Sequence, residues 1–212
     1  MSTSAPMSAS IRFWPELWPG ARCIAAEPVP ATYADLLANI RINGIEPRCR
    51  VEKVAVGAAS GFLRVTTGLD AMNHVIPAEE SGNGASFVEV PVRTLDDVVG
   101  GAAVTVLKID VEGFEREVLA GGGKTLADPS LLLVIMEVNY CTGRYGYDGA
   151  LLHQRMAGLG FQTFRYLPRE RTLVRSEIAA GFNVVFVRHL EAFEQRLRSA
   201  PQFEIQRLGV KI

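Results

Sequence analysis

Leu131 to Val138 reads LLLVIMEV, apolar at every position but Glu137. Successive side chains of a strand face opposite ways, so a run like this needs apolar cover on both sides. A strand buried on both faces is the mark of a sheet with helices packed above and below it. Upstream, Val104 to Asp110 (VTVLKID) reads as a second strong strand, and Glu115 to Leu119 begins a helix. Gly121-Gly122-Gly123 breaks or ends that helix.

The rest of the chain repeats this alternation. Arg22 to Ala26 (RCIAA) is a short strand that ends at Glu27-Pro28. Ala31 to Asn43 carries Tyr33, Leu36, Leu37 and Ile40 on one helical face, with Asp35, Asn39 and Arg41 off it. Asn43-Gly44 ends that helix, since both residues tolerate positive φ. Val51 to Val56 is the next strand, stopped at Gly57. Phe62 to Thr66 and Phe87 to Val92 are β-rich, and Thr67 to Ser86 between them reads as a long loop. Thr94 is placed to cap a short helix, Leu95 to Val99, with Asp96 and Asp97 in its first turn. Ala150 to Leu159 is helical, with Leu151, Leu152, Met156 and Leu159 on one side. Phe161 to Tyr166 and Asn183 to Val187 are two more strands, and Leu190 to Arg198 a terminal helix. The last two strands lack a crossover helix, so they should pair antiparallel within an otherwise mostly parallel sheet.

The chain has 212 residues, enough to bury a core as one domain without disulfide or metal staples. Residues 1–10 are small and polar, and are expected to be disordered. The formal net charge is −1, and no basic stripe marks a nucleic-acid partner. Cys23, Cys49 and Cys141 are odd in number and form no CxxC pair, which argues against a secreted disulfide framework. Cys23 lies in an apolar run and reads as a core residue. No signal-peptide pattern appears, and no window approaches the roughly 18 apolar residues of a membrane span. The expectation is a cytoplasmic protein with no membrane or nucleic-acid partner.

The string richest in chemistry is Leu107-Lys108-Ile109-Asp110-Val111-Glu112-Gly113-Phe114-Glu115. It puts Asp110 and Glu112 at the carboxyl end of a strand, where open α/β sheets bind ligands. A carboxylate there can take a proton from a hydroxyl or stabilise a cation. It can equally cap the next helix or sit solvated in its first turn. His74, next to Asn73 in the long loop, reads more readily as a surface residue than as a base. His153 and His189 have no partner in sequence, and no zinc-type ligand cluster occurs, so no metal is assigned. Asp110 and Glu112 would still suit Mg²⁺, which often takes only one or two protein carboxylates.

This nine-residue run resembles the LKIDVEGFE signature of the FkbM family of methyltransferases, which depend on S-adenosylmethionine (SAM). Further resemblances follow in the family's order. Ile24-Ala25-Ala26-Glu27-Pro28 is similar to its I-A-F-E-P. Residues 37–44 (LANIRING) are similar to its L-x-x-N-I-x-x-N-G helix end, and Val54-Ala55-Val56-Gly57 to its A-V-G turn. The resemblance implies a class I, Rossmann-like α/β fold and SAM as cofactor. It further implies methyl transfer to a hydroxyl of a small molecule, such as a sugar or natural product. Glu27, with Pro28, would bind the ribose hydroxyls, Val56 and Gly57 would lie near adenine, and Asp110 near the methionine end. Asp110 and Glu112 would assist deprotonation. Asn73, His74, Asn139 and Tyr140 would line the acceptor side.

The resemblance weakens at the start of the chain. The family opens with an apolar strand and a Gly-Ala-Asn-x-Gly turn whose backbone N–H groups approach the methionine carboxylate. Residues 8–12 (SASIR) are the nearest echo, with Ser8 and Arg12 in place of both glycines and no strand before them. The first strand is therefore expected to be absent or supplied otherwise. Phe13, Trp14, Leu17 and Trp18 would then cover an edge, or form an apolar patch that favours a homodimer. The alternative reading is a non-catalytic or truncated methyltransferase-fold module that has lost SAM binding. A nicotinamide oxidoreductase needs a glycine-rich first turn as well, and the nine-residue string does not support it.

Overall fold

The computed structural model describes residues 20–67, 74–76, 86–138, 149–176, 182–202, 204–205 and 210–211. In chain order the elements begin with β1 (Cys23–Ala26), α1 (Pro30–Ile42), β2 (Cys49–Glu52), β3 (Ala55–Gly57), β4 (Gly61–Thr66), β5 (Phe87–Thr94) and α2 (Leu95–Val99). Next come β6 (Val106–Ile109), α3 (Glu115–Ala120), α4 (Gly123–Ala127), β7 (Leu133–Val138) and α5 (Gly149–Gly158). The chain continues through β8 (Gln162–Leu167), β9 (Thr172–Arg175), β10 (Phe182–Val187) and α6 (Leu190–Ser199) to the short pair β11 (Glu204–Ile205) and β12 (Val210–Lys211). The elements form two compact units. One holds the chain up to Gly101 with Glu117–Gly122, and the other holds Ala102–Arg116 and the chain from Gly123 onwards.

In the first unit β1 and β2 pair in parallel, Cys23 opposite Cys49 through Ala26 opposite Glu52. The helix α1 lays Thr32, Leu36 and Ile40 inward, one residue per turn. Leu36 and Ile40 pack with Ile45, Ala25, Cys49 and Val51. Leu37 is 37% exposed, so the predicted apolar face is rotated and Thr32 takes a place on it. Gly44 adopts φ of 60° just beyond the helix, the left-handed turn expected there.

The single strand expected over Val51 to Val56 is in fact two. Its first half, in β2, pairs with β1, whereas β3 pairs in parallel with β5. The chain changes sheet at Lys53-Val54, and apolar patterning does not register such a bend. The strands β4 and β5 pair antiparallel along their length, from Gly61 opposite Val92 to Thr66 opposite Phe87. Part of the expected loop joins them: Val75 bridges Val65, and the Ile76 N–H donates to the Arg64 carbonyl at 2.8 Å. Thr94 caps α2 as expected, its side chain accepting from the Asp97 N–H at 3.1 Å. The Arg50 guanidinium donates to the carbonyls of Val98 and Val99 at the other end of α2.

The second unit is built on a five-stranded sheet in the order β6-β7-β10-β8-β9. Only β6 and β7 run parallel; β10 is antiparallel to both β7 and β8, and β8 to β9. The antiparallel pairing of the two predicted C-terminal strands is therefore present, and the fold is mixed α/β. The strand β9 lies in a stretch without a strong apolar signal, and Arg171 turns into it with φ of 49°. Val134 and Met136 are fully buried on one side of β7, and Phe186 of β10 is 1% exposed. In α5 the buried residues are Leu152, His153 and Met156, while Leu151 is 60% exposed. Among the described residues no helix is long and apolar enough to cross a membrane.

Arg188 follows β10 and is 8% exposed. Its guanidinium donates to the carbonyls of Leu131 (2.9 Å), Leu126 (3.0 Å), Leu159 (3.4 Å) and Asp128, and lies over the Phe161 ring at 4.6 Å. These carbonyls lie at the ends of α4 and α5 and at the entry to β7, where a helix leaves acceptors without intrahelical partners. Lysine has one cationic nitrogen and cannot fork across them. Arg188→Lys should lower the free energy of urea unfolding by more than about 2 kcal/mol, since several buried acceptors lose their donor. An unchanged urea midpoint would contradict that role.

His153 stands against Phe186 with ring centroids 5.2 Å apart. Both ring nitrogens are buried without a hydrogen-bond partner. Burial holds its pKa below the usual 6.5. The unfolded chain therefore takes up a proton that the folded one refuses, and stability falls as the pH drops below about 6.5. The loss of melting temperature between pH 7.5 and 5 should be smaller in His153→Leu than in the parent chain.

Candidate functional site

The LKIDVEGFE string folds into β6, a tight turn and the start of α3. Residues alternate along β6, so Lys108 points outward while Ile109 is buried. Lys108 Nζ lies 3.1 Å from Asp110 Oδ2 and 2.6 Å from Asn183 Oδ1 of β10. Lys108 and Asp110 are both more than two-fifths exposed, so water screens this ion pair. Past the strand end the Phe114 N–H donates to the Val111 carbonyl, closing a turn. Glu112 in that turn has φ of 49°, a left-handed conformation rare for a residue with a side chain, and Gly113 has φ of 100°.

This turn brings together the two predicted acids and a third. Carboxylate oxygens of Asp110, Glu112 and Glu137 lie within 4.8 Å of one another. Glu137 comes from β7, the parallel neighbour of β6. Sequence reasoning left Glu137 unassigned. Its signal was that it is the only polar residue in the LLLVIMEV run. Three carboxylates at the carboxyl ends of adjacent parallel strands can accept a proton, stabilise a cation or hold a hard oxygen-ligated metal ion.

Glu115 completes the arrangement from inside. It is fully buried, and its Oε1 accepts the Gly113 N–H at 2.9 Å. Its Oε2 is buried with no hydrogen-bond partner. Burial raises its pKa above the usual 4.5, against the lowering effect of the Gly113 hydrogen bond, and the negative charges of Glu112 and Asp110 add to the rise.

In the first unit Glu27 ends β1, with its backbone N–H on the Glu52 carbonyl at 3.1 Å. Its Oε1 accepts the Val29 N–H at 2.8 Å, closing the Pro28 turn into α1. The side chain is partly buried. Burial raises its pKa, against the lowering effect of the Val29 hydrogen bond. Each carboxylate oxygen accepts more than one hydrogen bond, so this turn leaves Glu27 capacity for a vicinal diol.

Val56 is half-buried and Gly57 buried in β3. Gly57 is approached closely by the end of α3: a Cβ on Gly121 would stand 2.1 Å from the Gly57 carbonyl oxygen. A Cβ on Gly122 would stand 2.6 Å from Leu95 Cδ2. The glycine run therefore does more than end a helix, because it lets that helix end touch the strand. His74 is tied to Thr66, which accepts the His74 N–H at 2.9 Å and donates its own N–H to the His74 carbonyl. Asn73, Asn139 and Tyr140 lie outside the described residues, as do Ser8 to Arg12 and the Phe13–Trp18 segment. Cys23 is only partly buried and stands beside Cys49 in the β1–β2 register.

A mixed α/β fold with acids at the carboxyl ends of its parallel strands agrees with the methyltransferase class that the nine-residue string resembles. The methyltransferase FkbM domain matches residues 6–163, and the chain belongs to that family. It is 32% identical to the 31-O-demethyl-FK506 methyltransferase FkbM of Streptomyces tacrolimicus, over 63% of this chain and 62% of the relative. It is 27% identical to methyltransferase sdnD of Sordaria araneosa, over 49% of this chain and 52% of that one. The chain thus spans between half and two thirds of the length of these relatives. The crystal structure of the methyltransferase FkbM from Methylobacillus flagellatus KT aligns with a TM-score of 0.49 and 16% identity, over 79% of this chain and 36% of that one.

The contact at Gly121 yields a direct test. Gly121→Ala forces a methyl into a backbone carbonyl and should cost about 1–3 kcal/mol or more. Thermal unfolding should show it as a clear drop in midpoint, whereas the same change at Gly123, where a Cβ meets nothing within 4 Å, should be near neutral.

Proposed function

We propose that this chain transfers a methyl group from SAM to a hydroxyl of a small molecule, a sugar or natural product. The observation that carries the reading is the convergence of Asp110, Glu112 and Glu137 at the ends of two parallel strands. Family membership supports methyl transfer, and the relative that acts on 31-O-demethyl-FK506 supports an oxygen acceptor. The donor set suits SAM: a partly buried carboxylate for ribose hydroxyls at Glu27, and anionic groups for a sulfonium at Asp110. When bound, SAM supplies an activated methyl carbon on a positive sulfur.

The residues then do simple work. Glu27 accepts hydrogen bonds from the ribose hydroxyls. Asp110 lowers the energy of positive charge near the strand end. Glu112 or Asp110 takes the acceptor hydroxyl's proton as the methyl arrives. Lys108, hydrogen-bonded to Asp110 and Asn183, holds the Asp110 carboxylate oriented for that role. Most of the acceleration comes from holding donor and acceptor in line, so a weak base is adequate. Asn73, His74, Asn139 and Tyr140 are assigned to the acceptor side, and the protein to the cytoplasm.

Calorimetric titration of the chain with S-adenosylhomocysteine, beside a Glu27→Ala variant, tests this reading. Micromolar binding is expected, weakened about tenfold or more in the variant through loss of charge-assisted hydrogen bonds. No binding by a cooperatively folded parent chain would overturn it.

A further inference from the structure

The geometry points to Glu115 as a positioning residue: by accepting the Gly113 N–H, its buried carboxyl holds Glu112 in the left-handed turn that aims it at Asp110 and Glu137. The inference deepens the proposed function and rests on it for its catalytic meaning. The structural part stands on its own observations.

A residue such as Glu112 at φ of 49° reverts to ordinary backbone unless its surroundings fix it. Two hydrogen bonds clamp the turn. The Phe114 N–H donates to the Val111 carbonyl at 3.2 Å, and the Gly113 N–H donates to Glu115 Oε1 at 2.9 Å. The second comes from a side chain that is 0% exposed, at the first residue of α3. Gly113 is itself buried, so its N–H has no access to water if Glu115 is lost.

A surface glutamate two residues on would hold such a turn weakly. Here the carboxyl is locked by packing, and the turn inherits that rigidity. Burial raises the Glu115 pKa, and the Gly113 hydrogen bond opposes that rise. The exposed end of the motif thus supplies acids that meet ligand, and the buried end supplies the acid that places them.

Three proteins test this: the parent chain, Glu115→Gln, which keeps the acceptor, and Glu115→Met, which keeps the volume without one. Hydrogen exchange at the Gly113 amide, followed by NMR, should be nearly unchanged in Glu115→Gln. In Glu115→Met it should accelerate about fivefold or more, the equivalent of one lost hydrogen bond. The preference for cationic SAM over uncharged-sulfur S-adenosylhomocysteine, measured by calorimetry, reports whether the acids are in place. It should fall in Glu115→Met and be retained in Glu115→Gln, a rescue that simple loss of packing would not give. Wild-type exchange at Gly113 in Glu115→Met, or equal damage in both variants, would overturn the inference. If the parent chain binds neither ligand, the proposed function falls, while the exchange comparison still decides the role of Glu115.

Discussion

The second unit depends on one buried cation that pairs with carbonyls. Helices end with unpaired carbonyl groups, and burying them without donors is costly. Arg188 meets those left by α4 and α5 and the carbonyls at the entry to β7, because one planar guanidinium offers several donors. The same device recurs at smaller scale. Arg50 donates to the last carbonyls of α2, and Arg171 to those of Leu197 and Ala200 at the end of α6. Arginine here supplies the donors that helix-end carbonyls need.

The acid cluster, at the opposite end of β7, depends on the register of two adjacent strands. Asp110, Glu112 and Glu137 come from β6, its turn and β7, and their spacing follows from the parallel register of Lys108 opposite Ile135 and Ile109 opposite Met136. Three like charges so close repel one another. Lys108 offsets part of that charge, and Asn183 from β10 holds the lysine in place. The cluster thus draws its acids from two strands and its support from a third, although the recognisable motif belongs to only one of them.

Much of this was legible in the sequence. The apolar runs around Ile109 and Val134 give the parallel pair, and Thr94 and Gly44 mark a helix start and a helix end correctly. Asp110 and Glu112 were visible because strand-end acids stand out after an apolar run. The remainder depended on partners distant in sequence. Apolar pattern made one strand of Val51 to Val56, but pairing partners split it between two sheets. Leu37 fits the helical stripe, yet it is exposed and Thr32 is the residue that is buried. Arg188 reads as an ordinary polar residue until the carbonyls around it are known. Glu115 reads only as the start of a helix, and its burial reveals a different task.

The sheet order has a consequence for how the chain comes together. The strand β10, near the end of the sequence, sits between β7 and β8, both made earlier. During synthesis β7 and β8 must wait, each with an open side, until residues 182–187 emerge. The β7–β10 pairing joins residues more than forty apart in sequence, a separation that slows its formation. The first unit's β1–α1–β2 segment, by contrast, closes over thirty residues. Maturation of the acid cluster therefore comes last: Asn183, which steadies Lys108, arrives on the same late strand that completes the sheet, and Arg188 follows directly to lock it.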